Sequence, residues 1–390
     1  MNRTADVIVV GAGVQGTALA FHLASRGTDV LVLERSAVGA GATGRSSGFV
    51  RMHYDLASDA RLAWASFPWF EGWADRVGAG DCSFVACGFV QLVPPALAPA
   101  LRANVAMLLD IGIETREIGP DEVAALVPGI VTDDIIVAAW EPRSGYADPS
   151  GTAAGFMSAA RARGARLERA CRVGAIAVAG GRVAGVETDR GRFEAPVVVD
   201  AAGPWAAGLA STVGLDVPVQ VWRHDTAYVG LPAGRDAAFP IVLDHARGVY
   251  FRPEGREQVL VGLETANELG GSPDRPFAAI GPAATEELIA RVCERLPWMA
   301  EGTLRSAHGG QDGMTPDQRP IIDRAGPDGF YLLCGFSGTG FKTAPAIGLG
   351  VAEMILDGEA RSVDLSPYRL DRFAEGRLLV GEHAYGDLWQ

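Results

Sequence analysis

Lysine is almost missing from this chain: of 34 basic side chains only Lys342 is a lysine, and all the others are arginine. Such a bias reads as codon usage, with arginine standing wherever a guanidinium will serve. The one position that keeps a compact ammonium is therefore expected to need it. Long apolar runs are missing too. No stretch approaches the roughly 18 to 20 uncharged residues of a membrane span. Asp6-Val7-Ile8-Val9-Val10 leads straight into Gly11, so the first apolar segment reads as a strand of the fold rather than a secretory leader. A soluble, cytoplasmic protein is the simplest expectation. Cationic excess is absent as well. With 47 acidic residues the formal charge is −13, the wrong sign for releasing counterions from a nucleic-acid backbone. A small anionic substrate stays open, because it feels a pocket's local field rather than the net charge. Cysteine is scarce and odd in number. Cys82, Cys87, Cys171, Cys293 and Cys334 lack metal-ligand spacing and read as reduced core thiols. No H-E-x-x-H or clustered His/Asp pattern points to a metal. Ser337, in Gly-Phe-Ser-Gly, lacks the spacing of a nucleophile elbow, which argues against a hydrolase.

What is present begins with a βαβ unit. Val7 to Val10 are short, continuous and β-branched, as in a buried parallel strand. Val14 to Ser25 read as a helix stopped by Gly27, and Val30-Leu31-Val32-Leu33 as the second strand. At the strand–helix junction, Gly11-Ala12-Gly13-Val14-Gln15-Gly16 fits G-x-G-x-x-G. The first glycine permits the turn, the second lets backbone approach a pyrophosphate, and the third lets helix pack on strand. In a chain with 50 glycines the motif alone is weak. Its position after a strand and before a helix gives it weight, with Glu34 ending the second strand to accept the ribose hydroxyls of an adenosine. A carboxylate there favours FAD or NAD over NADP. A second small-residue loop, Gly39 to Gly48, suits the ribityl chain and pyrophosphate of a flavin, although a mobile surface loop would look similar.

The remaining segments alternate less regularly. An aromatic-rich helix is expected around 59–78, strands at 85–93, 220–230, 240–243, 248–252 and 258–263, and a helix at 151–163. A strand-rich hairpin at 172–188 precedes Val197-Val198-Val199, and Tyr331-Leu332-Leu333-Cys334 precedes a glycine-rich turn and a helix at about 345–356 closed by Gly358. Chains near 400 residues suggest about two domains. The expectation is an α/β cofactor domain (1–82, 145–215 and 305–375) interleaved with a second, α+β substrate domain (83–144 and 216–304) whose sheet is antiparallel.

Four stretches carry a family resemblance: the N-terminal motif with Glu34 and the 41–54 loop; Gly145-Tyr146-Ala147-Asp148-Pro149; Asp200-Ala201-Ala202-Gly203-Pro204-Trp205-Ala206; and Met314-Thr315-Pro316-Asp317 through Gly335-Phe336-Ser337-Gly338-Thr339-Gly340-Phe341-Lys342. In that order, over nearly the whole chain, they resemble the FAD-dependent superfamily of D-amino acid oxidase, glycine oxidase and sarcosine oxidase, closest to the sarcosine oxidase branch. The resemblance implies a Rossmann-like FAD-binding domain of the glutathione-reductase type. It implies extended FAD on Gly11, Gly13, Gly16, Glu34, Arg35, Gly41, Thr43, Arg45, Ser46, Ser47, Val173, Ala202, Gly203, Trp205, Gly338, Thr339, Gly340, Phe341 and Lys342.

It also implies oxidation of the C–N bond of a small amino acid, secondary or N-alkylated in the sarcosine-like case. A hydride equivalent passes to flavin N5 and the imine is hydrolysed. A carboxylate-bearing amine gives the protein a handle for two cations, and Arg51 and Lys342 fall on the family's two carboxylate-binding positions. Backbone N–H groups of the turn Gly335–Gly340 are expected at the flavin's pyrimidine edge. His53 and His308 are the better histidine candidates over His224 and His245. In the sarcosine oxidase branch a cysteine before the Met314–Asp317 segment anchors the flavin; Gly310 stands there, so non-covalent FAD is expected. That branch's lysine for oxygen activation is replaced near Tyr250, which puts the label oxidase in doubt and leaves O2 or another acceptor open, with Arg252 as a substitute cation. A 2-hydroxy acid oxidoreductase, or a flavoprotein subunit of a larger complex or homo-oligomer, are the other readings.

Overall fold

The computed structural model describes residues 3–264, 268–275 and 280–386. Val7–Val10 lies fully buried between two parallel neighbours, Val30–Glu34 and Val197–Asp200. Arg166–Arg169 extends this sheet on one side and Phe330–Cys334 on the other, and antiparallel Ile321–Arg324 ends it. Strand alternation sorts the side chains. Val7, Val9, Val30 and Val32 face a helical layer. Ile8, Val10, Leu31 and Leu33 meet a three-stranded antiparallel sheet made of Val173–Ala179, Arg182–Thr188 and Gly191–Phe193. Each buried aliphatic side chain of this kind contributes about 1.5–3 kcal/mol.

The helical layer consists of Val14–Ser25, Pro149–Ala162 and Gly340–Asp357. Gly348 permits a close approach of two of these helices, since a Cβ there would lie 2.9 Å from the backbone of Ala18. This is the expected α/β arrangement, Rossmann-like and of the glutathione-reductase type.

A second, eight-stranded sheet stands against it: Thr303–Met314, Gln220–Gly230, Gln258–Leu263, Val249–Glu254, Ile241–Asp244, Phe89–Leu92, Ala138–Glu141 and Arg116–Ile118. All its pairs are antiparallel except Ile241–Asp244 with Phe89–Leu92. One face packs Val242, Phe251, Val259 and Val261 against the helix Pro282–Arg295. The other gathers Phe89, Ile241, Leu243, Tyr250 and Leu260 over Phe49. That second face looks toward the first sheet, and a short ribbon of Phe49–Val50 and Gly145–Tyr146 lies between the two bodies.

Several boundaries differ from expectation. The aromatic helix divides at Gly72 into Ala57–Glu71 and Trp73–Arg76. The strand expected at 85–93 shortens to Phe89–Leu92. The last helix begins at Gly340, five residues earlier than expected, because Pro345 sits inside it rather than at its start. Residues 305–314, expected with the cofactor domain, lie in the strand Thr303–Met314, which pairs along its length with Gln220–Gly230 in the eight-stranded sheet. Helices Ala98–Ile111, Pro120–Leu126 and Pro282–Arg295 were not anticipated. Among the described residues no helix is long and apolar enough to cross a membrane.

Candidate cofactor and substrate site

The turn after Val7–Val10 shows why glycine is required there. Gly11 has φ +104°, and a Cβ would meet the Ala201 carbonyl oxygen at 2.5 Å. On Gly16 a Cβ would overlap the Gly11 carbonyl, so this glycine serves helix–strand packing and does not line the cavity. Glu34 is buried at the end of its strand, where Oε2 accepts the Ala12 N–H at 2.9 Å and Oε1 the Ser36 N–H at 2.7 Å. It therefore braces the turn with lone pairs still available for a ligand. Thr43 Oγ1 accepts the Val14 N–H at 3.0 Å and ties the second small-residue loop to the helix start.

These segments line one cavity of about 950 Å3. Of the sequence-derived cofactor positions, Gly11, Gly13, Glu34, Arg35, Gly41, Thr43, Ser46, Ser47, Val173, Ala202, Gly203, Trp205, Gly338, Gly340 and Phe341 line it. Gly16, Arg45, Thr339 and Lys342 do not. Arg45 lies beside Gly310 and His308. Thr339 is spent on the Phe336 carbonyl at 2.7 Å. Near Trp205, Arg35 stacks on the indole at 4.0 Å, and Asp274 accepts from both Arg35 and the indole Nε1, at 2.7 and 2.9 Å. Far along the chain, Trp222, His224, Tyr250 and Asp312 line the same cavity from the face of the eight-stranded sheet.

Three N–H groups of the turn before the last helix are already used. Ser337 donates to the Gly313 carbonyl, Gly338 to Asp312 Oδ2, and Thr339 to the Phe336 carbonyl, at 2.9, 2.8 and 2.9 Å. The expectation that the turn presents its own N–H groups to a flavin is corrected to that extent. The first turn of the helix Gly340–Asp357 still has no side-chain cap, and its orphan N–H groups make a ready anion site.

Arg51 and Lys342 come together next to this cavity without lining it. Lys342 follows the lining residue Phe341, and its Nζ lies 5.6 Å from the centre of the Tyr54 ring. The Arg51 guanidinium lies 4.7 Å from that ring and 5.4 Å from Phe89. Burial holds the Lys342 ammonium well below its ordinary pKa, and the Arg51 charge lowers it further. Arg51 is 1% exposed. Its Nη1 donates to the His53 carbonyl, while Nε and Nη2 have no acceptor among the described residues. A buried guanidinium with an open fork, next to a buried lysine, leaves donors for an anion, and the buried carboxyl groups of Glu141 and Glu264 also lie within the Arg51 field.

His53 is buried with its Nε2 2.7 Å from Tyr385 Oη, and burial pushes its pKa down to about 3, with Arg51 adding to the shift. His308 is half-buried against Thr226 and does not line the cavity; His224, the less favoured candidate, does. Burial holds His224 neutral, with a pKa down to about 4. Tyr250 packs edge-on against Phe49 at 5.5 Å, which fixes its ring in the cavity wall. Arg252 is committed elsewhere, to the Ser47 and Pro253 carbonyls at 2.6 and 2.7 Å and to Glu254 at 2.5 Å.

Sequence reasoning missed Asp312, Asp274, Tyr385 and two buried acidic residues near Arg51: Glu141, which accepts from the Met52 N–H at 3.0 Å and Ser144 Oγ at 2.6 Å, and Glu264, 2.9 Å from His245 Nδ1. Asp312 was within reach, two residues from Gly310 on one strand and so on the same face. All five cysteines are unpaired, and burial pushes the Cys82 and Cys87 thiols up to about 11.

A strand–glycine turn–helix cradle, a carboxylate at the end of the second strand and a long two-walled cavity define a dinucleotide-binding flavoprotein. Residues 6–354 match the family described as FAD dependent oxidoreductase (DAO), and the chain belongs to it. FAD is its cofactor, and the open backbone donors and glycine cradle fit that group. The chain is similar to the mitochondrial sarcosine dehydrogenase of Homo sapiens, 28% identical over 95% of this chain and 41% of the relative. It thus spans about two fifths of that protein's length. It is also similar to sarcosine oxidase subunit beta of Arthrobacter sp., 26% identical over 98% of this chain and 94% of the relative. Among solved structures, L-proline dehydrogenase from P. horikoshii superposes with a TM-score of 0.90 at 25% identity, covering 97% of this chain and all of that one.

Proposed function

We propose that this protein oxidises the C–N bond of a small amino acid, secondary or N-alkylated, to an imine that water hydrolyses. Bound FAD supplies the two-electron acceptor. The observation that carries the reading is the buried Arg51 fork, with Nε and Nη2 unpaired beside Lys342. A substrate carboxylate satisfies both donors and offsets the Arg51 charge that bears on Lys342. Lys342 regains its charge as that anion arrives, because an adjacent carboxylate opposes the desolvation that lowers its pKa. Tyr54 and Phe89 keep water from the guanidinium, which strengthens each charge-assisted bond. Tyr250 and His224, in the wall of the adjoining cavity, shape the space left for the amine. The proposed division of labour gives the parallel-sheet body the cofactor and the eight-stranded sheet the substrate.

Anaerobic addition of amino acids, N-methyl amino acids and 2-hydroxy acids, followed by flavin absorbance, tests the reading. Bleaching by amines alone is the expected result, and bleaching only by hydroxy acids would sink it. Readmitting air then separates an oxidase from a dehydrogenase. Arg51→Gln and Lys342→Ala are each expected to lower kcat/KM by about tenfold to a hundredfold, the range of a lost charge-assisted bond, with FAD content retained. Parallel loss of flavin would assign those residues to the cofactor instead. The neutral His224 in the cavity wall favours one competing reading, 2-hydroxy acid oxidation with the imidazole as base. The near full-length likeness to a subunit beta supports membership of a larger assembly, which native-mass measurement from the source cell tests.

A further inference from the structure

The C-terminal segment enters the interior next to Arg51. Glu382 accepts the Ala57 N–H at 3.0 Å, and the His383 carbonyl accepts from Asn104 Nδ2 at 3.0 Å. Between these anchors and the sheet, Tyr385 is 1% exposed. Its ring stacks on His53 with centroids 6.0 Å apart and planes 11° apart, and its Oη lies 2.7 Å from His53 Nε2. The phenol oxygen faces His53 Nε2. Its own hydrogen needs an acceptor, and His53 Nε2 is within reach. The proton of the neutral imidazole then resides on Nδ1, which is buried without a partner among the described residues. The reverse tautomer would leave two buried groups unsatisfied, the phenolic hydrogen and the Nδ1 lone pair, against the single Nδ1–H of this one.

We propose that Tyr385 is a positioning residue that fixes the Nδ1–H tautomer of His53, giving the carboxylate site a third donor beside the Arg51 fork. The inference rests on the proposed carboxylate clamp and deepens it. His53 reaches that site twice. Its carbonyl holds Arg51 Nη1, and its ring lies close enough to feel the Arg51 charge. Residues 51, 53 and 385 thus form one unit, in which the far end of the chain sets the donor pattern of a segment more than three hundred residues away.

Nitrogen-15 NMR of histidine-labelled holoenzyme, with His53 assigned by comparison with His53→Gln, reads the tautomer without any substrate. Protonated Nδ1 in the parent protein, lost or mixed in Tyr385→Phe, is expected. The phenylalanine keeps the stacked ring and should keep full FAD content. Acetate, followed by perturbation of the flavin spectrum, is expected to bind roughly 5- to 20-fold more weakly to Tyr385→Phe. Protonated Nε2 in the parent protein would overturn the inference. So would unchanged acetate affinity in Tyr385→Phe when Arg51→Gln weakens it. If Arg51→Gln also left acetate binding intact, the clamp itself would fall and take the third donor with it, a pattern distinct from the first two.

Discussion

Asp200 is fully buried at the end of its strand, with Oδ1 accepting the Ala202 N–H at 3.1 Å and Oδ2 without a partner among the described residues. Burial raises its pKa to about 7 from 3.8, against the smaller pull of the Ala202 bond. The folded state therefore favours the neutral acid. Its stabilising effect is complete below about pH 4 and is lost as pH rises through 7, at up to about 1.4 kcal/mol per pH unit in between. Asp200→Asn keeps the acceptor and removes the titration. Its melting temperature should exceed that of the parent protein at pH 8 by more than at pH 5, and parallel pH profiles would show that Asp200 is solvated. At this scale the sequence identified Arg51 and Lys342 through their motifs. It did not single out Asn104, Glu264 or Tyr385, which matter only through neighbours distant in the chain.

Strands and helices near the N-terminus were legible because each has a local cause: β-branched runs, a glycine at each turn, and the stop at Gly27. The last helix was harder, since Pro345 imitates a helix start while its carbonyl accepts from His22 Nε2 at 3.0 Å inside the packed layer. The strand Thr303–Met314 reads weakly because it carries glycines at 309, 310 and 313. Those glycines have a tertiary reason: a Cβ on Gly310 would lie 2.7 Å from the His224 ring and 2.9 Å from Arg45. A cysteine at that position has no room for its side chain unless both neighbours shift. FAD is accordingly expected to be held without a covalent bond, and acid precipitation of the holoprotein should leave all flavin in the supernatant. Yellow pellet after washing would refute this.

Across the whole molecule, the two sheets enclose the cofactor cavity, and residues 268–275 close over its Trp205 end. There Asp274 binds Arg35 and the Trp205 indole, and Arg172 stands 3.7 Å away. Both Arg35 and Asp274 are well exposed, so their pair contributes little, on the order of 0.2–1 kcal/mol. Asp274→Ala is therefore expected to speed FAD dissociation only about two- to fivefold, measured by dilution into an excess of flavin-scavenging apoprotein. An unchanged rate would mean that this clasp does not retain the cofactor. The gross interleaving of two bodies followed from α/β patterns at both ends and strand-rich segments between them.

The amino-acid sequence by itself determined the dinucleotide cradle and the acidic residue beside it, and marked Arg51 and Lys342 through two separate motifs. Each depends on short-range backbone geometry or on a motif contained in a few adjacent positions. Only the tertiary structure decided which histidine faces the cavity, where Arg252 spends its donors, and that Tyr385 reaches His53. Those outcomes depend on strand register and on burial, which arise from contacts between segments hundreds of residues apart and leave no periodic trace in either segment.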